Sequence, residues 1–265
     1  MIPAERQHFI LSRLAECDIL SIQQLTELLD VSHMTIRRDI QMLEQTGRVA
    51  SVAGGVRLSR KLDQELPHLQ KAAMNAAQKQ AIGAAAAAMV RDGMVVYLDA
   101  GTTALEVARR IGDRSGLTVV TNDFVVCAYL STHSDCTLYH SGGMVERANQ
   151  SCVGPAAAQA LAGFNYDIAF ISTSSWTSSG LSSPSELKGP VKVAVTAQAK
   201  RVVLTSDSFK YGVVAALNIL LISAFDTIVT DTGLDAGVVA ELRDRNITVV
   251  IAGDDPSTQN EGDAP

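Results

Sequence analysis

The chain has 265 residues, an apolar content of 47% and a formal net charge of −6, which allows one large domain or two around a sizeable core. No uninterrupted apolar run reaches the ~18 residues of a membrane span. The opening Met1-Ile2-Pro3-Ala4-Glu5-Arg6 lacks the apolar segment of a signal peptide, so a cytoplasmic protein is expected. Cys17, Cys127, Cys136 and Cys152 show no CxxC spacing, and the histidines are scattered. Free thiols are therefore expected, with no metal and no cofactor. An acidic chain has no global attraction for nucleic acid, so any such function must be carried locally.

Taken in order, Pro3 to Glu16 reads as an amphipathic helix whose Phe9, Ile10 and Leu14 would pack on Leu25, Leu28, Ile36 and Ile40. A second helix spans Ile22 to Leu29, announced by the capping-box pair Ser21 and Gln24. After the short turn Leu29-Asp30-Val31, Ser32 sits at an N-cap position. The helix that follows puts Ile36, Ile40 and Leu43 on one face and Met34, Arg38 and Gln41 on the other, flanked by Thr35 and Arg37. Two short β-compatible runs around Gly54-Gly55 suggest a hairpin. A helix-turn-helix followed by a hairpin is a winged helix, expected over residues 3–58.

Charge follows this division. Residues 1–30 carry a net −3, Arg6 and Arg13 standing against five carboxylates, whereas residues 31–61 carry +4, six cations standing against Asp39 and Glu44. An Arg-Arg pair alone is common on solvated helices, but cations concentrated on one helix and its hairpin are the footprint of a DNA reader. Ser32, His33, Met34, Thr35, Arg37, Arg38 and Gln41 are the candidates for major-groove and phosphate contact. Arg48 and Arg57 would bring the wing to the phosphate backbone.

Residues 59–75 are polar, contain Pro67 and read as a linker. Lys71, Asn75 and Lys79 recur at spacing four and would share a helix face; Asn75 reads as solvated, and Lys79 is kept as an effector-site candidate. Over 76–253 short Val- and Ile-rich runs alternate with helical stretches. The runs are Met94–Leu98, Leu117–Thr121, Thr137–His140, Tyr166–Ile171, Arg201–Thr205, Thr227–Thr230 and Ile247–Ala252. Such alternation predicts an α/β domain with a mostly parallel sheet. Residues 254–265 are acidic, lack large apolar side chains and are expected to be a disordered tail.

Ligands of open α/β sheets bind beyond the carboxyl ends of the strands. There the sequence places Asp99, Gly101, Thr102 and Thr103 before a helix, then Thr121 and Asn122, Gly142 and Gly143, a Ser/Thr stretch over 172–185, and Asp207 with Lys210. Backbone N–H groups at a helix start favour a phosphate, and the hydroxyls, amides and carboxylates suit a polyol. Each turn alone is commonly just a cap or a tight turn; several on one sheet edge beside a DNA reader are more specific.

The run Val31-Ser32-His33-Met34-Thr35-Ile36-Arg37-Arg38-Asp39, with Leu43-Glu44, Gly47 and Gly54-Gly55, resembles the DNA-binding signature of DeoR-type bacterial transcriptional regulators. The resemblance continues through Asp99-x-Gly101-Thr102-Thr103, Thr121-Asn122, Gly142-Gly143, Asp167-x-x-Phe170-Ile171 and Asp207-x-x-Lys210, and covers roughly residues 3–250. It implies a sensor domain similar to the ribose-5-phosphate isomerase fold, and repression relieved by a phosphorylated sugar or sugar acid. The chain departs from the family at Ser51 and Ala53 in the wing and at Ser172-Thr173-Ser174-Ser175-Trp176. Trp176 is left open as a buried anchor or a lid residue.

The expected function is thus a DNA-binding transcriptional regulator of a carbohydrate or sugar-acid operon, a homo-oligomer on operator DNA and not an enzyme. The alternative is a sugar-phosphate isomerase with Asp99 or Asp207 as base; no carboxylate pair stands close in sequence at a strand end to favour it. A DNA-associated protein without a ligand is a third class.

Overall fold

The computed structural model describes residues 1–52 and 54–253; Ala53 and the acidic segment 254–265 lie outside the described residues. Helices α1 (Pro3–Glu16), α2 (Ile22–Leu29) and α3 (His33–Gln45) and the antiparallel strands β1 (Val49–Val52) and β2 (Gly55–Leu58) form the N-terminal unit. The Ser21 hydroxyl accepts from Gln24 N at 3.0 Å while Gln24 Oε1 accepts from Ser21 N at 2.8 Å, so the capping box closes. Ile10, Leu14, Leu25, Ile36 and Ile40 share one core with Leu20, Leu43, Val49 and Val56. Leu28 does not join it and is 46% exposed, because Leu29, one turn after Leu25, takes the inward position.

The segment read as a linker is folded. It supplies β3 (Arg60–Leu62) and α4 (His68–Ala73), followed by α5 (Ala76–Ala87). Then come β4 (Val95–Leu98), α6 (Thr102–Ile111), β5 (Thr118–Thr121), α7 (Phe124–His133), β6 (Thr137–His140), β7 (Met144–Glu146), β8 (Ser151–Val153) and α8 (Gly154–Leu161). The chain continues with β9 (Ile168–Ser172), β10 (Trp176–Thr177), β11 (Gly180–Ser183), α9 (Lys188–Thr196), β12 (Val202–Thr205), β13 (Val213–Ala215), β14 (Leu217–Leu221), β15 (Thr227–Asp231), α10 (Ala236–Asp244) and β16 (Thr248–Ala252).

Each of the seven expected runs coincides, within a residue or two at the ends, with a strand of one parallel sheet, ordered β16-β15-β12-β9-β4-β5-β6. Alternation along β4 explains how both faces are covered. Val96 and Leu98 pack with residues of α5, α6 and α7, whereas Tyr97 points to the core shared by α8, α9 and α10. The chain leaves β4 towards β5 and β6, then returns to β9 on the other side of β4 and runs out through β12, β15 and β16. The order therefore reverses between β4 and β9, where a crevice must open beyond their carboxyl ends.

Smaller sheets complete the unit. β7 pairs with β8, β10-β11-β14 form an antiparallel sheet, and β13 pairs in parallel with β3. The Ser/Thr stretch is thus largely a hairpin rather than a loop. Trp176 is a fully buried anchor, its ring edge-on to Tyr211 with centroids 4.9 Å apart. Among the described residues no helix is long and apolar enough to cross a membrane.

Candidate functional site

The first candidate surface is α3. Its N-cap is Ser32, whose hydroxyl accepts from Thr35 N at 3.2 Å. Ile36, Ile40 and Leu43 are buried, which turns His33, Met34, Arg37, Arg38 and Gln41 to solvent, with Thr35 half-buried beside the cap. Asp39 is buried and paired with Arg6, whose Nε lies 2.6 Å from Oδ2 and Nη2 3.3 Å from Oδ1. That bidentate clamp fixes α1 against α3 and sets the roll of the helix. Glu44 Oε1 accepts from Ser51 N at 2.6 Å and ties α3 to the wing. Burial raises the Glu44 pKa, opposed by the bonds from Ser51. Among the described residues the side chains of Arg37 and Arg38 have no hydrogen-bond partner, and Arg48 is exposed. Arg57, expected at the phosphate backbone, stands opposite Ala50 in the hairpin, on the face that packs against the sensor core, and its Nη2 donates to the Tyr211 carbonyl at 3.4 Å.

The second candidate is a cleft at the reversal between β4 and β9. Asp99, Gly101, Thr102, Thr103, Asn122 and Lys210 line it. Gly101 adopts φ +146°, open to glycine, and starts α6 directly after the strand. Thr102 and Thr103 are the first two residues of α6, so their N–H groups have no helical partner and face the cleft with the positive end of the dipole. The Thr103 hydroxyl is buried and, among the described residues, has no partner.

Asp99 is not free. It accepts from Ala100 N at 2.9 Å and Ser172 N at 3.0 Å, and its carboxylate is bound by the Lys192 ammonium, which also donates to the Ser172 carbonyl at 2.7 Å. The side chain of Asn122 is likewise committed, accepting from Tyr97 OH at 2.9 Å and donating to the Cys152 carbonyl at 2.9 Å. Asp123, beneath the turn, accepts from Gly101 N at 2.9 Å. Burial lifts its pKa to about 6 against the N–H bonds it receives from Val126, Val125 and Gly101.

Sequence reasoning missed the cations opposite α6. Lys188 and Lys192 project from α9, and Lys71, read only as a helix-face residue, projects from α4; with Lys210 they set four ammoniums around the cleft against Glu65 and Asp99. Lys188 lies 2.6 Å from Glu65 and 3.1 Å from Glu146, and Lys71 lies 3.3 Å from Glu65 and bonds Asn149. Burial opposes ionisation of Glu65, but the Lys188 and Lys71 charges outweigh it and hold the carboxyl at about 2. The spacing of four between Lys188 and Lys192 was the available signal; Glu65 gave none.

Other expected positions fall elsewhere. The Thr121 hydroxyl is buried, donating to the Leu98 carbonyl at 2.7 Å and accepting from Asp123 N at 3.1 Å, and so holds the turn. Gly142 and Gly143 follow β6, two strands from the reversal, and Gly143 packs on Ala157. Asp207 lines a neighbouring cavity of about 850 Å³ with Asn75 and Lys79. Lys71, Asn75 and Lys79 do not share a helix, because Asn75 takes a left-handed conformation between α4 and α5 and bonds Asp207 at 3.3 Å. Lys79 instead caps α4, its ammonium bonding the Lys71 and Met74 carbonyls. Burial, then repulsion from Lys210, lowers the Lys79 pKa to about 8.

Residues 6–61 match the DeoR-like helix-turn-helix domain, and residues 74–232 match the DeoR C-terminal sensor domain. The HTH-type transcriptional regulator YgbI of Escherichia coli K12 is 47% identical over 252 residues, covering 95% of this chain and 99% of that protein. The transcriptional repressor AccR of Agrobacterium fabrum C58 is 32% identical over 231 residues, 86% of this chain and 90% of that one. Among solved structures, ribose 5-phosphate isomerase A from Methanocaldococcus jannaschii aligns with 52% of this chain and 55% of that one at 20% identity and a TM-score of 0.37, too slight a likeness to carry chemistry across. The two domain matches span most of the chain, and it belongs to the DeoR family of DNA-binding transcriptional regulators.

Proposed function

We propose that α3 reads operator DNA and that the cleft binds a phosphorylated sugar or sugar acid which releases it, making the protein a repressor of a carbohydrate or sugar-acid catabolic operon. The observation that carries this reading is the cleft itself: four ammoniums and the start of α6 face one volume beside bonded hydroxyls and amides. A phosphate suits the Thr102 and Thr103 N–H groups and Lys210, and sugar hydroxyls suit Glu65 and Asn149. AccR, to which this chain is similar, is a transcriptional repressor, which supports the sign. One winged helix covers too little DNA for ordinary specific affinity, which supports a homo-oligomer on symmetric half-sites in the cytoplasm. An isomerase reading is disfavoured because Asp99 is tied to Lys192, Ser172 and Ala100.

The test is fluorescence anisotropy of DNA from immediately upstream of the protein's own gene, at two salt concentrations, with a panel of phosphorylated sugars and sugar acids. Tight, salt-sensitive binding released by one compound is expected. Binding that no compound releases would sink the effector half of the proposal, and binding no tighter than to random DNA would sink both.

A further inference from the structure

The stretch Lys210-Tyr211-Gly212-Val213 touches the cleft at one end and the winged helix at the other. Lys210 lines the cleft, its ammonium 3.3 Å from Asp207 Oδ2. Just upstream, Ser208 is anchored by Asp231, which accepts from its N–H and its hydroxyl at 2.8 Å each. Tyr211 is buried under Trp176, and its carbonyl receives Arg57 of the wing. Gly212 N donates to the Trp176 carbonyl at 2.9 Å, and the Gly212 carbonyl accepts from Arg60 N at 3.1 Å. At Gly212, with φ +72°, an added methyl would overlap the Cβ of Ala50 in the wing strand β1. Val213 opens β13, paired with β3, and Ala215 N donates at 2.9 Å to the hydroxyl of Ser182 on the cleft wall.

We infer that residues 210–213 are the relay by which an anion in the cleft repositions the winged helix, with Gly212 as the contact that passes the movement to Ala50. The inference rests on the reading of the cleft as an effector site. An anion drawn to Lys210 competes with Asp207 for its ammonium. Because Ser208 is held by Asp231, the displacement runs downstream through Tyr211 and Gly212. There it meets the wing at two points, Arg57 on the Tyr211 carbonyl and Ala50 on Gly212, and meets β3 just after the wing through Arg60 on the Gly212 carbonyl. A contact too close for any side chain behaves as an on-or-off seat, and a two-state element of that kind is what coupling between sites requires.

The full-length chain provides the test. Gly212→Ala, folded by circular dichroism, should bind its upstream DNA about tenfold more weakly, the cost of overpacking one seat. Ala50→Gly with Gly212→Ala should recover part of that loss relative to Ala50→Gly alone, because the space is restored while the strain of a side chain at φ +72° remains. Unchanged affinity in Gly212→Ala, or a loss that Ala50→Gly does not reduce at all, overturns the relay. The single tryptophan, packed on Tyr211 and bonded by Gly212 N, reports the relay itself without any mutation. Trp176 emission should change saturably with inorganic phosphate against chloride of equal ionic strength, and should do so less in Lys210→Met. A rise in Tm with phosphate but unaltered emission overturns the relay alone. If phosphate moves neither, the anion reading of the cleft falls and takes the relay with it.

Discussion

The α3 surface and the sensor cleft are both cationic, yet they hold their charges differently. Arg37 and Arg38 stand exposed with no hydrogen-bond partner among the described residues. In the cleft, Lys71, Lys188, Lys192 and Lys210 each stand against a carboxylate. An unpaired surface cation suits a partner that brings its own phosphates and trades them for released counterions. A buried ammonium needs a resident counter-charge whenever the site is empty, so a ligand there must compete with Glu65 or Asp207. Removing a cation should therefore cost binding at the first surface and folding at the second.

The largest effect expected from this contrast is Lys192→Ala. It strands the buried Asp99 carboxylate and should lower unfolding free energy by about 3–5 kcal/mol in urea titrations, with Asp99→Asn alongside Lys192→Met recovering part of the loss. A loss under about 1 kcal/mol would erase the distinction between the two surfaces.

The next effect is in pH. Glu65 ionises at about 2 in the fold against an ordinary 4.5. Between those values the unfolded chain binds more protons, so the stabilisation is fully present above 4.5 and is lost as pH falls through 2. The span corresponds to about 3 kcal/mol, measurable as the pH dependence of the denaturant midpoint and flattened in Glu65→Gln.

The smallest effect sharpens the other side. Arg38→Ala should weaken operator binding by about 1–3 kcal/mol if it reads a base, or reduce the salt slope by about one if it reads phosphate. Its unfolding free energy should stay within about 0.5 kcal/mol of wild type. A marked fall in stability would mean that Arg38 has a structural partner after all.

Much of this was legible in the sequence because the relevant signals are local. Seven Val- and Ile-rich runs marked the seven strands, and Ser21 and Ser32 marked two helix starts. The acid–base furniture of the cleft was not legible, because its members come from distant, ordinary-looking stretches. Glu65 and Lys71 sit in a polar segment indistinguishable from a linker until β3 finds β13. Thr121 and the Gly142-Gly143 pair carried site-like spacing, but one holds a turn and the other lies two strands away. The contact Arg57 makes was not legible either, because its partner, Tyr211, lies more than 150 residues later.

The pairing of β3 with β13 has a bearing on how the protein is made. The winged helix draws its core from residues 10–56 and has what it needs to fold while the ribosome is still early in the message. Its seat cannot form until Tyr211, Gly212 and Val213 have emerged, some 150 residues later. During that interval the nascent chain carries a finished DNA-reading head on an unfinished sensor. A chain broken off before Gly212 would keep the head and lose the seat that positions it.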